Sequence, residues 1–560
     1  VKRDSRYFIL EILATILIPI IFFIQVAYSD GPSAAAGSGQ GDIIVNQESI
    51  KQGVRVVPAA NPDVPVVEIA TPNQKGVSYN SFDKFDVSNS GVVVNNSASH
   101  AKSSIGGIIL ANPNLSTSPP ANVIINEIVS SNPSRIEGAT EIVGNRAAYI
   151  LANPNGISIN GAAFINASSV SLTTGKTRIG ASGTFDSIEI GGGEINISGP
   201  DLDLTDLDYS DIMAKIVRLG SKIHAKDIKI ITGSNSYTPS TRESIGSGND
   251  KQPAELSIDS SLVGGIYANR IKIIATDRGA GVNLPEAISE TTLDITADGR
   301  IVHKTVKAEK VSIRSKGEIV AESGSKINAK IYGIETNSLK YKADSHLLAE
   351  KINILANGLV ENEGKIETID SVYENIFIES GRFANSGKII SRKKISIKAR
   401  DDLSNTGSIR SSGGDIDFSS KTMMNAGIIQ AKKGVVNGKI LSLETFAAGS
   451  TIEARDVVLR AGDLVNKGII VATQWANIGV DNLLENASGT IITTAGDITL
   501  SGTELVNSGL ILSAGKIYRL ATESQFHKIE NINTIRAGSE IEFKDVDEII
   551  NSGKVEALSL

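Results

Sequence analysis

The sequence predicts an all-β chain wound as a parallel β-helix. Three observations carry that expectation. Val, Ile, Ser, Thr, Asn and Gly dominate, and hydrophobic residues reach 41% while aromatics reach only 4%, which suits short strands, tight turns and thin repeated layers. An Asn-x-Gly-aliphatic motif returns about every 20 residues in the second half. The length of 560 residues is too great for one ordinary globular core but normal for a solenoid.

Composition also excludes several chemistries. The chain has no cysteine, which removes thiolate metal sites, thiol catalysis and disulfide staples. His100, His224, His303, His346 and His527 are scattered, and none lies three or four residues from another, so no local metal motif exists. No cofactor is expected. The net charge of −7 argues against a nucleic-acid surface, which should be basic.

Residues 1–29 read as an export signal recognised by the Sec machinery. Lys2, Arg3 and Arg6 form a basic start, the run from Phe8 to Val26 is almost wholly apolar, and Ala27-Tyr28-Ser29 offers small residues for cleavage before Asp30. A membrane anchor is the rival reading, which Pro19 and Gln25 disfavour. Residues 30–42 are a flexible leader rich in Gly, Ser and Ala.

From 43 to about 200 the text alternates strand and turn. Ile43 to Val45, Val64 to Ile69, Gly91 to Val94, Ile105 to Leu110, Val123 to Ile128 and Ala147 to Leu151 are β-branched or aliphatic runs separated by Asn, Gly, Ser, Asp and Pro. No long stretch has helical periodicity. Two turns stand out: Asn112-Pro113-Asn114-Leu115 and, 41 residues on, Asn153-Pro154-Asn155-Gly156-Ile157. Pro presets φ for the second turn position, and Asn and Gly tolerate positive φ after it. The spacing equals two coil periods, which would put both on one edge of the helix.

These blocks resemble the amino-terminal secretion domain of filamentous haemagglutinins and other two-partner-secretion exoproteins. The resemblance rests on Pro65 to Pro72, Gly76 to Asn80, the two Asn-Pro-Asn turns with Ile125-Asn126-Glu127-Ile128, Phe164-Ile165-Asn166 and Leu172 to Gly175. Gly264 to Ala268 and Gly279 to Val282 extend it to about residue 300. It implies a right-handed helix with β excursions in a secretion domain of 43–300. It also implies export from a Gram-negative bacterium through an outer-membrane β-barrel translocator with periplasmic recognition domains. The secretion motifs carry over to Asn112, Pro113, Asn114, Leu115, Asn153, Pro154, Asn155, Gly156 and Ile157. Many relatives carry a cysteine pair just after the second turn; Ile159 and Ala162 hold those positions here.

Residues 201–260 break the rhythm. Asp201, Asp203, Asp206, Asp208 and Asp211 cluster without the glycine turn and terminal Glu of a calcium loop, so they read as a strand with a solvated face. Ser234 to Pro253 is polar and reads as a loop, suiting an excursion from the main coil.

From 301 to 560 the repeat takes over. Its turns are Asn385 and Gly387, Asn405 and Gly407, Asn425 and Gly427, Asn466 and Gly468, Asn507 and Gly509, and Asn551 and Gly553, and Asn362-Glu363-Gly364 and the looser Asn486 to Gly489 belong too. The steps from Asn385 to Asn507 are 20, 20, 41, 20 and 21, and Ala447-Ala448-Gly449 fills the double step. Positive φ at the turn is the expected reason for Asn and Gly. Stacked Asn side chains are expected to bond along the axis. A leucine-rich repeat shares the period but needs a Leu-x-Leu frame that is missing. The chain stops in a repeat without a polar cap, which reads as an incomplete solenoid.

The functional expectation is a secreted or surface-exposed adhesin-like exoprotein that meets a host-cell or neighbouring-cell surface. The alternatives are the stalk of a contact-dependent growth inhibition toxin, a haemolysin, and last a β-helix enzyme acting on polysaccharide. No acidic pair recurs at one coil position, so no catalytic residue is expected.

Overall fold

A computed structural model describes residues 42–246, 256–260, 263–369, 375–520 and 523–558. The signal segment and nearly all of the leader lie outside these residues. Gly41–Leu560 forms one compact unit. It is a parallel β-solenoid of about 20 turns.

The repeat shows why this sequence coils. One turn is Arg382–Asn385, Lys388–Ser391 and Lys394–Ala399, and the next opens with Asp402–Asn405 and Ser408–Ser411. Each strand pairs in parallel with its counterpart one coil on, so Asn385 meets Asn405 and Ile389 meets Ile409. In these short strands, alternation sends one residue inward and the next outward. The inward positions stack into columns. Ile389, Ile409, Ile429, Ile452, Ile470, Ile491, Ile511 and Ile535 form one such column, buried throughout. No coil can bury this face alone, so stability is a sum over neighbouring coils.

The first coils are closed differently. Ile43–Val45 pairs antiparallel with Val77–Phe85, and the short helix Gln47–Lys51 follows, capped by Asn46, whose side chain accepts from the Glu48 amide. The parallel stack then runs from Val77–Phe85 through Val123–Ile128, Ala147–Ala152, Ala167–Thr173 and Tyr209–Ala214. A five-stranded sheet forms another side of these coils, ordered Ala163–Ile165, Ala139–Gly144, Val92–Asn96, Pro65–Glu68 and Arg55–Pro58.

A four-stranded antiparallel sheet stands outside the coil: Lys176–Ile179, Phe185–Ile190, Asn235–Thr238 and Glu243–Gly246. It corrects the loop expected from residue 234. Residues 235–246 are a hairpin, because Tyr237 packs with Ile188 and Ile190 onto the outward-facing Met213 and Ile231 of the coil. Residues 247–253 of that expected loop lie outside the described residues. The solvated face expected for the aspartate run also needs amending. Asp203 is exposed, but Asp211 is buried beneath the hairpin, where Tyr237 donates to it and Arg242 Nη2 reaches it at 2.6 Å.

Candidate functional site

Asn112 opens a single 3-10 turn, Pro113–Leu115. Its side-chain oxygen accepts from the Asn114 amide at 3.0 Å, and its Nδ2 donates to the carbonyls of Ile69 at 3.1 Å and Asn95 at 3.0 Å. Asn114 adds bonds to the carbonyls of Gly53 and Ile69, both at 2.9 Å. One asparagine pair therefore ties three distant segments to one corner. Leu115 is buried beneath it, while Pro113 faces solvent. Asn112 itself is 1% exposed.

Asn153 repeats this chemistry. Its oxygen accepts from the Asn155 amide at 3.0 Å, and its Nδ2 donates to the Asn132 carbonyl at 2.9 Å and Ser134 Oγ at 3.0 Å. Asn155 Nδ2 reaches the Ser130 carbonyl at 2.7 Å. Pro154 is half-buried, and Gly156 takes φ +111, a left-handed conformation that a side chain would strain. The chain re-enters the stack at Ile157, between Ser134 and Ile195.

The two turns do not share an edge. Asn112 bonds at the end of Val92–Asn96, whose Asn96 is level with Gly144, just before Ala147–Ala152 begins. Asn153 follows the last residue of that same strand. The turns thus flank one sheet face from opposite corners. The 41-residue spacing misleads because residues 97–122 leave the coil for a hairpin, Ala101–Ser103 with Gly107–Ile109, and a long return.

Residues that pin this return escaped the sequence reading. Asn96 Oδ1 accepts from the Ala121 amide at 2.7 Å, and its Nδ2 donates to the carbonyls of Ala121 and Asn145, both at 2.9 Å. The buried Glu141 carboxylate accepts from Ser103 Oγ at 2.5 Å and the Ser104 amide at 2.8 Å, holding the hairpin. A double Asn closing a valine run was the available signal for Asn96. Nothing local distinguishes Glu141.

The repeat turns form a second array. Asn362 Nδ2 donates to Asn385 Oδ1, Asn385 to Asn405 and Asn405 to Asn425, each at 2.7 Å. After a gap the ladder resumes from Asn466 through Asn486, Asn507 and Asn531 to Asn551, each step 2.8 Å. Asn531 was not read as a repeat position, because Asn533 stands where glycine usually does. The expected reason for the glycines needs correcting. Positive φ occurs at none of Gly387, Gly407, Gly427, Gly468, Gly509 and Gly553. The constraint is steric: a Cβ on Gly407 would lie 2.1 Å from the Gly387 carbonyl oxygen, and one on Gly427 2.1 Å from that of Gly407. Glycine lets consecutive backbones stack at the corner.

Among the described residues, no cluster of three His, Asp or Glu is placed to hold a metal ion. Both arrays are corner-builders whose amides are spent on the chain's own backbone and on one another.

Residues 42–303 match the family model of the TPS secretion domain. This chain carries a TPS secretion domain. It holds both Asn-Pro-Asn corners, the five-stranded sheet and the outer antiparallel sheet. Among curated relatives, the toxin CdiA of Escherichia coli is 31% identical over 385 residues, covering 68% of this chain and 12% of that protein. The 16S rRNA endonuclease CdiA of Enterobacter cloacae is 36% identical over 266 residues, 46% of this chain and 8% of that one. Filamentous hemagglutinin of Bordetella pertussis is 34% identical over 288 residues, 50% of this chain and 8% of that one. The chain therefore spans 8–12% of the length of these relatives. A crystal structure of a filamentous hemagglutinin secretion domain aligns at 27% identity over 60% of this chain and 97% of that one, with a TM-score of 0.41. Within the TPS domain, the positions noted for a cysteine pair are the buried Ile159 and Ala162, and Ile159 contributes to the apolar core.

Proposed function

We propose that this chain is a two-partner-secreted, adhesin-like exoprotein. Residues 43–300 direct its passage through an outer-membrane β-barrel translocator with periplasmic recognition domains, after Sec-dependent export by the segment 1–29. The match of residues 42–303 to the TPS secretion domain carries this reading. Chain chemistry is consistent with it. A chain without cysteine forms no crosslinks that would block a narrow pore. A solenoid folds coil by coil as it emerges, because each coil needs only its neighbour.

The geometry bears on how the motifs act. Asn112 and Asn153 are 1% and 0% exposed once folded, so a folded domain cannot present their side chains to a partner. We assign them to building the two corners from which the stack nucleates. Their amides replace water with backbone carbonyls as soon as those segments meet.

A second reading has a specific support. Several relatives are CdiA proteins, named as toxins or nucleases, and the matches cover 8–12% of their length. On that reading the rod is a stalk that presents an effector to a neighbouring cell, and the rod itself is not an enzyme. Expressing the gene with and without its cognate translocator tests the shared claim. Export to the medium or cell surface only with the translocator supports it, and equal export without the translocator refutes it.

A further inference from the structure

Two neighbouring columns of the solenoid break their own rule in the same coil. The inward column that runs from Val360 through Leu403, Met423, Leu464 and Leu484 to Ile529 is apolar except at Glu444. The column two residues on is Asn at every step from Asn362 to Asn551 except at Phe446. A carboxyl thus stands where the column calls for an aliphatic chain, and a ring where it calls for an amide. Neither Glu444 oxygen has a partner among the described residues, and burial alone holds the carboxyl up at about 8. No charged side chain shares the core with it. Arg410, Asp417, Lys421, Glu453, Arg455, Asp456, Arg460 and Asp463 on the strands packed against its own, and Lys432, Lys433 and Lys439 on its own, are none of them buried.

A shift of one residue mends both faults. Side chains alternate along a strand, so such a slip exchanges every inward and outward position. Moved one place forward, Leu443, now 43% exposed, stands between Met423 and Leu464, and the Thr445 hydroxyl stands between Asn425 and Asn466. Glu444 then faces outward beside the exposed Met424. The connections hold the slack for this move. Residues 440–442 join Lys439 to Leu443, whereas 420–421 and 461–462, one residue fewer, join the paired positions of the flanking coils. This surplus is visible as a register shift between Ser420 and Thr422, and the slip removes it. After Phe446, residues 447–450 lead to Thr451, where 426–427 and 467–468, two residues fewer, suffice on either side. That turn is open, with nothing within 4 Å of a Cβ built on Gly449.

We propose that residues 443–446 are a two-register switch that slips forward by one residue when Glu444 ionises, drawing Leu443 and Thr445 into the two columns and turning Glu444 and Phe446 out of them. The fully buried Phe446 ring holds the observed register while Glu444 is protonated, because the slip surrenders that ring to solvent. Only the opposing term titrates. Between pH 4.5 and about 8, each unit moves the balance about tenfold toward the slipped register, where the carboxylate is hydrated. The slip gives the ionised coil an alternative to unfolding, and it stays local because a coil rests on its neighbours alone. Nothing in the switch depends on the secretion reading.

Hydroxyl-radical footprinting of the purified full chain at pH 5 and pH 9 reads the two registers directly. At pH 5 Leu443 should be oxidised and Phe446 protected. At pH 9 oxidation of Leu443 should fall and that of Phe446 rise, each by about threefold or more. Opposite changes at these two residues separate a slip from local unfolding, which raises both. The buried Phe383 and Phe418 of the preceding coils should stay protected throughout. Glu444→Leu has no carboxylate to hydrate and should keep the acid pattern at both pH values. An unchanged pattern in the parent, a joint rise of Leu443 and Phe446, or the same exchange in Glu444→Leu overturns the proposal.

Discussion

Asn425 lies in register with Phe446, at the one step of the column where an aromatic ring interrupts a ladder of asparagines. On either side the amides bond from coil to coil, and at this step Asn425 turns its Nδ2 to the Gly427 carbonyl, 3.2 Å away. The ladder is therefore two segments, and their members are not equivalent.

Asn405 sits inside the first segment, and Asn425 at its end. Asn405→Ala leaves the Asn385 side-chain amide and the Asn425 side-chain oxygen without their ladder partners, whereas Asn425→Ala takes the ladder partner of Asn405 alone, because the Gly427 carbonyl that also loses a donor keeps the Thr451 amide. The expected cost is about 1–3 kcal/mol for each deserted buried group, so Asn405→Ala should be the more damaging. Hydrogen exchange of the amides in residues 382–429 reads this locally, which a solenoid requires.

Steric and conformational glycines should separate cleanly. Gly407→Ala drives a Cβ to 2.1 Å from the Gly387 carbonyl and should cost about 1–3 kcal/mol through overpacking, with Gly407→Asn worse. Gly449 has φ +83 and nothing within 4 Å of a built Cβ, so Gly449→Asn should be nearly neutral, since Asn tolerates that conformation. Local exchange around each turn gives the comparison.

Glu444 occupies an inward column between Met423 and Leu464, and neither carboxylate oxygen has a partner among the described residues. Burial pushes its carboxyl from 4.5 up to about 8. The folded state therefore holds a proton that the unfolded chain releases above 4.5. Stability here is full below that value and falls as pH rises toward 8. Glu444→Leu should abolish that decline and stabilise the coil by about 1–3 kcal/mol at pH 7, read by denaturant unfolding across pH.

His303 should show the opposite slope. It stacks between Leu284 and Ala321 with both ring nitrogens unpartnered among the described residues, and burial holds its imidazole down to about 4 from 6.5. The unfolded chain gains the proton first, so stability falls as pH drops from 6.5 toward 4. His303→Leu should remove on the order of 2–3 kcal/mol of that acid loss by pH 4. Unfolding midpoints at pH 7 and pH 4 for parent and variant give the answer.

The solenoid was legible because its cause is local and repeated. Each coil spends an inward Ile, an Asn and a close-packed Gly at fixed spacing, and Ile389, Asn385 and Gly387 recur as Ile409, Asn405 and Gly407. The secretion segment was less legible because its excursions carry no period. Residues 235–246 looked like a polar loop since Tyr237, their one large apolar anchor, packs on Met213 and Ile231, which lie on the outside of the coil. Glu141 was invisible for a related reason: its partners, Ser103 and Ser104, come from a distant hairpin. The glycine column was visible, but its reason was not, because a coil-to-coil backbone approach leaves no trace in a single turn's sequence.

The central claim is that Asn112 and Asn153 serve secretion by building the corners of the TPS domain. Export with the cognate translocator, measured for Asn112→Ile, Asn153→Ile and the ladder control Asn405→Ile, tests it most directly. The account predicts that both corner variants fall well below the parent in the medium or at the cell surface, while Asn405→Ile, outside residues 42–303, is exported. Export of both corner variants at the parent's level would contradict it.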